Sequence, residues 1–212
     1  PMNAYLLDLP LTPYEDAHDL QKRLVARRAA GQLDRDVVIL VDSLTRMALA
    51  QRQIGLAAGE PPTTRGFTPS VFAQLPRLLE RAGPGRHGGS ITGIYTVLVE
   101  GDDTNDPIAD AVRGIVDGHV VLSRRLASHN HYPAIDVLGS VSRLRNDVVT
   151  PADRRAGDRL MRWLKALEDN RDLVSIGAYA PGSDPVLDEA LANQDAIRAF
   201  LNYTYRRWQR AP

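Results

Sequence analysis

The run Val37-Val38-Ile39-Leu40-Val41 stops at an acid, Asp42. An unbroken Val/Ile/Leu stretch of this length reads as a short strand buried on both faces, as in a parallel sheet. A carboxylate at the C-terminal tip of such a strand stands where open α/β sheets bind ligands. In nucleotide-hydrolysing proteins that acid holds magnesium beside the phosphates. Asp42 has a second reading of equal weight: it precedes Ser43-Leu44-Thr45-Arg46 and would serve as a helix cap.

Three further groups bear on chemistry. Glu100 to Pro107 is an acidic loop containing Asp102, Asp103 and Asp106. Its spacing departs from Asp-x-Asp-x-Asp-Gly with a distal glutamate, so a calcium loop is not expected. His129 and His131, at i and i+2, can share one side of a strand. No third ligand stands at motif spacing, and a surface loop is the favoured reading. Arg143 follows Gly139-Ser140-Val141-Ser142 just past another apolar run. An arginine there either reaches an anion or faces solvent.

One arrangement is missing. A phosphate-cradling loop needs Gly-x-x-x-x-Gly-Lys followed by Ser or Thr, so that backbone N–H groups wrap the phosphates and the lysine neutralises them. The lysines here are Lys22 and Lys165, and neither follows a glycine.

The elements that must position these residues are legible from caps and periodicity. Residues 4–9 read as a strand. Thr12-Pro13-Tyr14-Glu15 opens a helix with Ala17, Leu20, Leu24 and Val25 inward, closed by Gly31. With residues 37–41 this makes strand–helix–strand. Thr68-Pro69 opens another helix, with Leu75, Leu78, Leu79 and Ala82 on one face and Pro76 expected to kink it. Residues 84–89 read as a Gly-rich surface loop. Ile91 to Val99 reads as a second buried strand. Asp106-Pro107 starts a short helix with Ile108, Val112 and Ile115 inward. Strands are expected at Val120–Leu122 and Ala134–Leu138.

From Thr150 the pattern becomes helical throughout. Thr150-Pro151 and Asp184-Pro185 open helices. Leu160, Leu164 and Leu167 form one stripe, and Ala190, Ile197, Phe200 and Leu201 are the expected buried residues of the last part. The expected organisation is a strand–helix segment over 1–35, a partial nucleotide-binding domain over 36–149 and a helical domain over 150–212. The fold class is α/β: a partial parallel sheet flanked by helices, then an all-helical C-terminal domain.

Composition sets limits. The 212 residues carry 26 basic and 26 acidic side chains, so no global field draws the chain to nucleic acid or anionic lipid. The absence of cysteine removes disulfides, thiolate nucleophiles and Cys-based zinc sites together. No apolar run approaches the ~18 residues of a membrane helix. The N-terminus shows no basic-then-apolar leader, so export is not expected.

Residues 36–206 resemble the C-terminal half of the flagellar and type III secretion export ATPases, cousins of the rotary ATP synthase catalytic subunits. The resemblance is carried by Val41-Asp42-Ser43-Leu44-Thr45-Arg46 and by Gln51 to Pro62. It continues through Arg65-Gly66-Phe67-Thr68-Pro69-Ser70-Val71-Phe72, Leu75 to Gly83, and Thr96-Val97-Leu98-Val99-Glu100-Gly101-Asp102-Asp103. Asp117-Gly118-His119, Leu122-Ser123-Arg124, His131 to Leu138, Ser140-Val141-Ser142-Arg143 and Ile176-Gly177-Ala178-Tyr179 complete it.

The resemblance implies a RecA-like sheet and an ATP-hydrolysing motor for protein export, with ATP and Mg2+ as its cofactors. By position, Asp42 matches the strand-end carboxylate that organises magnesium through water, the Walker B acid. Arg46 matches an arginine near the nucleotide phosphates. Arg143 matches the arginine finger that reaches a neighbouring subunit's γ-phosphate. Tyr132 matches an aromatic residue packed on adenine. Asp102, Asp103 and Asp106 match the loop facing a central channel and stalk. The implied setting is a cytoplasmic homohexamer, peripheral to a membrane at most. Its implied partners are a central stalk, stator and export-gate proteins and chaperone–substrate complexes, with no nucleic acid. The family's phosphate loop and catalytic glutamate lie upstream of the stretch at 37–42, so this chain alone is expected to be inactive. The alternative is a non-catalytic interaction module or a chimeric scaffold that binds ATPase subunits, stalk or chaperones.

Residues 4–41 also resemble the start of lipoate (octanoyl) transferases, through Tyr14-Glu15-Asp16-Ala17, Leu20 to Val25 and Ala29-Ala30-Gly31. A join between the two families would fall inside 37–41. Transferase chemistry itself is excluded, because its thiol nucleophile needs a cysteine.

Overall fold

A computed structural model describes residues 4–6, 19, 20, 23, 24, 26, 27, 30, 32, 36–85, 89–103 and 105–202. The chain folds as two compact units, the first over residues 1–116 and the second over 117–212.

The first unit is built on a mixed sheet ordered β1-β2-β4-β3. Strands β1 (Ala4–Leu6), β2 (Asp36–Val41) and β4 (Ser90–Tyr95) run parallel. The two-residue β3 (Gly83–Pro84) pairs antiparallel with Ile91 and Ser90. The stretch expected to begin a loop at 84 therefore starts in the sheet. β4 ends at Tyr95, four residues short of the expected strand end. The chain still follows β2 for one more step, since Thr96 N donates to Val41 O at 3.0 Å.

Three helices cover one face of this sheet: α1 (Leu44–Ala57), α2 (Pro69–Leu79) and α3 (Pro107–Ile115). Leu44 and Ala48 of α1 meet Val71, Leu75, Leu78 and Leu79 of α2 and Ile108 and Val112 of α3, with Val41 and Tyr95 packed from the sheet. The α1–α2 approach is close because Gly55 has no side chain; a Cβ there would stand 2.5 Å from Thr68 Oγ1. α2 continues three residues past Pro76.

The expectation of a strand buried on both faces is corrected. Successive residues of a strand point to opposite faces. Val37 is buried beside buried Ile91, but on the other face Leu40 and its register partner Ile94 are 54% and 50% exposed. The α1–α2–α3 layer packs against the Val41/Tyr95 side alone. Of the first helix read from sequence, residues 19, 20, 23, 24, 26 and 27 are helical, with Leu20 and Leu24 half-buried. Residues 7–9, Thr12, Pro13, Ala17, Val25 and Gly31 lie outside the described residues.

The second unit opens with β5 (Gly118–Leu122) and β6 (Ile135–Ser142), an antiparallel pair separate from the first sheet. Between them lies α4 (Arg124–Ser128). Then come α5 (Arg145–Val148), α6 (Pro151–Asp169), α7 (Arg171–Ser175), α8 (Pro185–Ala192) and α9 (Gln194–Leu201). The caps are those the sequence announced. Thr150 accepts from Asp153 N, and Asp184 from Val186 N and Leu187 N, each ahead of a proline in the first turn. Leu187, Ala190 and Ile197 are buried. Phe200, expected inside, is 70% exposed.

Candidate functional site

β2 and β4 place the acid. Val41 lies opposite Tyr95, so the next residues of the two parallel strands, Asp42 and Thr96, emerge together. Thr96 Oγ1 donates to Asp42 Oδ1 at 2.8 Å. The carboxylate itself is exposed. The helix-cap alternative is settled by the next residue. Ser43, 4% exposed, is the N-cap of α1, and its Oγ accepts from Arg46 N at 3.4 Å. Asp42 is thereby held at the strand tip without capping α1. Arg46 sits one turn into α1 with its side chain exposed. The Asp42–Ser43 peptide is cis.

This donor set can be tested against magnesium. Mg2+ keeps several waters and takes one or two carboxylates together with substrate phosphates. An exposed acid held by one hydroxyl at Oδ1 suits contact through water. Among the described residues no group of three acidic or histidine side chains could hold an ion by itself. The acid therefore fits as one contributor to a larger site. His129 and His131 accordingly form no metal centre with a third described ligand.

The acidic loop is tied down by an ion pair absent from the sequence reading. Arg65 and Asp103 are hydrogen-bonded and ion-paired. Arg65 lies in the 3-10 turn Thr64–Gly66 with a left-handed backbone, φ 51°. The Arg65 hydrogen bond, then that from Asn105 N, holds the Asp103 carboxyl below the usual carboxylate range. The same bond raises Arg65 above its ordinary value. Asp106 instead caps α3, accepting from Ile108 N and Ala109 N at 3.0 and 2.8 Å. Asp102 ends a 3-10 turn, Glu100–Asp102; its side chain and Thr104 lie outside the described residues.

A depressed folded pKa stabilises above the unfolded value, about 3.9 for aspartate, and that stabilisation is lost as pH falls through the folded value. An NMR titration of the Asp103 carboxyl is thus expected to show a midpoint below that of ordinary aspartates. Arg65→Ala should raise it toward the ordinary range, with the bond from Asn105 N left in place; an unchanged midpoint would contradict the ion pair.

In the second unit, Tyr132 is 51% exposed, and its backbone N donates to Asn202 Oδ1 at 3.4 Å. The Tyr132–Pro133 bond is cis. Arg143 is the first residue past β6, with an exposed side chain. Its backbone N donates to Asp117 O at 2.8 Å, fixing it to the start of β5. Thus Asp42 and Arg46 share one strand–helix junction, Asp103 and Asp106 share one loop, and Tyr132 and Arg143 flank β6. Thr96 and Arg65 escaped the sequence reading. With the strand expected to run on to Val99, Thr96 read as a strand residue, and only its end at Tyr95 brings Thr96 beside Asp42; Arg65 carried no signal.

An acid at the tip of a parallel strand, followed directly by a capped helix, stands where open α/β sheets bind ligands. Residues 25–142 match the ATP synthase alpha/beta family, nucleotide-binding domain, and residues 149–204 match the T3SS EscN ATPase C-terminal domain. The chain belongs to the ATP synthase alpha/beta family. It is 57% identical over 166 residues to the Flagellum-specific ATP synthase of Salmonella typhimurium, covering 78% of this chain and 36% of that protein. It is 58% identical over 166 residues to the Type 3 secretion system ATPase of Xanthomonas euvesicatoria, covering 78% of this chain and 37% of that one. The fold superposes with a TM-score of 0.77, at 42% identity, on the assembled ATPase EscN solved with its central stalk EscO from the enteropathogenic E. coli type III secretion system. That match covers 89% of this chain and 43% of the other. The chain thus spans less than two fifths of the length of the two sequence relatives. No helix among the described residues is long and apolar enough to cross a membrane.

Proposed function

We propose that this chain is the C-terminal portion of an ATP-hydrolysing motor that powers flagellar or type III protein export. The observation that carries the reading is the exposed Asp42 carboxylate at the tip of β2, held by Thr96 and released from helix capping by Ser43. In this reading Asp42 contacts Mg2+ through water and Arg46 lies near the nucleotide phosphates. Tyr132 packs on adenine, and Arg143 reaches a γ-phosphate bound by a neighbouring subunit. Bound magnesium would neutralise phosphoryl charge. The chain's own part is to orient and to supply positive charge.

The proposed division is a segment over 1–35, a partial nucleotide-binding domain over 36–149 and a helical domain over 150–212. A family match reaching back to residue 25 argues for a shorter segment of other origin than the transferase resemblance over 4–41 implies. The proposed setting is a cytoplasmic homohexamer, peripheral to a membrane at most, with Asp102, Asp103 and Asp106 toward a central stalk. Stator, export-gate proteins and chaperone–substrate complexes are the further proposed partners. With no Gly-Lys phosphate loop in its sequence, the chain alone is expected not to turn over ATP.

A second reading, a non-catalytic interaction module or scaffold, is favoured by one observation. Leu40 and Ile94 on one sheet face are 54% and 50% exposed, and Val120 and Leu122 of β5 are 65% and 70% exposed. Parallel sheets normally have both faces covered, and open apolar faces mark contact surfaces. Both readings predict that adding the chain to the full-length Salmonella relative changes its ATPase rate. Cancellation of that change by Arg143→Ala selects the first reading and its persistence the second; no change at any mixing ratio contradicts both.

A further inference from the structure

A second site lies in the second unit, and it does not rest on the nucleotide reading. α4, α7 and α9 with their flanking turns border a surface hollow of about 390 Å3, lined by Arg125, Leu126, His129, His131, Arg171, Arg198 and Asn202. Among the described residues no acidic one lines it. In a chain with equal numbers of acidic and basic side chains, a hollow with three guanidiniums and no carboxylate is a local excess of positive charge.

The bonding inside it points to an anion. Arg125 is shared with Glu168, 3.1 Å away, both about half exposed. Arg198 meets the fully exposed Asp195 only at 3.9 Å. Arg171 pairs with no carboxylate among the described residues. A backbone carbonyl only accepts, so the 2.7 Å contact between His129 Nδ1 and Arg125 O makes Nδ1 the donor. That bond fixes the imidazole to α4. Guanidinium forks match tetrahedral oxyanions through paired, charge-assisted hydrogen bonds.

We propose that this hollow binds a small, multiply charged phosphate-class anion, gripped by Arg171 and Arg198 and by Arg125 when it leaves Glu168. A halide would engage one fork at a time. A diphosphate carries enough oxygens to accept from several guanidiniums at once.

The test is calorimetric titration of the full chain with inorganic pyrophosphate at fixed ionic strength. One saturable site is expected. Arg171→Glu should weaken it about 10–100-fold, the scale of a lost charge-assisted contact. Arg171→Lys keeps the charge without the fork and should fall between. Glu168→Gln frees Arg125 and should tighten binding several-fold, which a merely structural role would not produce. Arg77→Glu, exposed on α2 of the first unit, changes net charge equally and should leave the affinity unchanged. If circular dichroism shows that Arg171→Glu does not fold, Arg171→Gln supplies the comparison. Absence of saturation, equal weakening by Arg77→Glu, or weakening by Glu168→Gln would each overturn the proposal.

Discussion

Placed in a full-length relative whose C-terminal portion is replaced by residues 36–202 of this chain, Arg143→Ala is expected to lower ATP turnover by about 10³–10⁵-fold, the range for arginine fingers. The side chain stands exposed just past β6, and its backbone is fixed by the 2.8 Å bond to Asp117 O. A group that acts on developing phosphoryl charge changes kcat and leaves nucleotide affinity within a few-fold. Arg143→Lys should recover little, because a point charge cannot reproduce two parallel hydrogen bonds. Subunits carrying Arg143→Ala mixed with subunits carrying Asp42→Ala should regain part of the turnover, wherever an intact acid faces an intact arginine. Failure of that recovery, with both variants assembled, would contradict action across a subunit boundary.

The second large effect concerns the core that holds Asp42 in place. Leu75 is fully buried in the cluster that also holds Leu44 of α1 and Ile108 of α3. Leu75→Ala removes buried apolar contact and leaves a cavity, at a cost of about 2–5 kcal/mol. Domains of this size are stable by about 5–15 kcal/mol, so the urea midpoint should fall by a large fraction of its value. Phe200→Ala serves as the control: at 70% exposure it should move stability by no more than about 0.5 kcal/mol. Equal losses for the two would contradict the contrast between buried Leu75 and exposed Phe200.

Helix starts were legible in the sequence because their signals are local. Asp106-Pro107, Thr150-Pro151 and Asp184-Pro185 each put an acceptor side chain before a residue that needs no N–H partner, and each opens a helix. The strand tip at Asp42 was legible for the same reason: an apolar run ended at a charge. Ser43 was harder, since two adjacent residues both qualify as caps and only the fold decides between them. The exposure of Leu40 and Ile94 could not be read from the run. Its composition states that both faces are apolar, whereas burial depends on which elements arrive to cover them. The antiparallel pairing of β5 with β6 was equally hidden, because a strand's partner is not written in its own residues. Phe200 shows the converse: an aromatic side chain at helical spacing does not compel burial when no described element packs over it.

The most direct measurement is magnesium-dependent ATP hydrolysis by the purified chain, compared with its Asp42→Ala variant. If this chain contributes a strand-tip acid and a reaching arginine to a site whose phosphate grip lies elsewhere, the two will be indistinguishable from the uncatalysed background. Turnover by the unaltered chain that disappears in Asp42→Ala would contradict the account, because these residues would then suffice to hold and cleave the nucleotide.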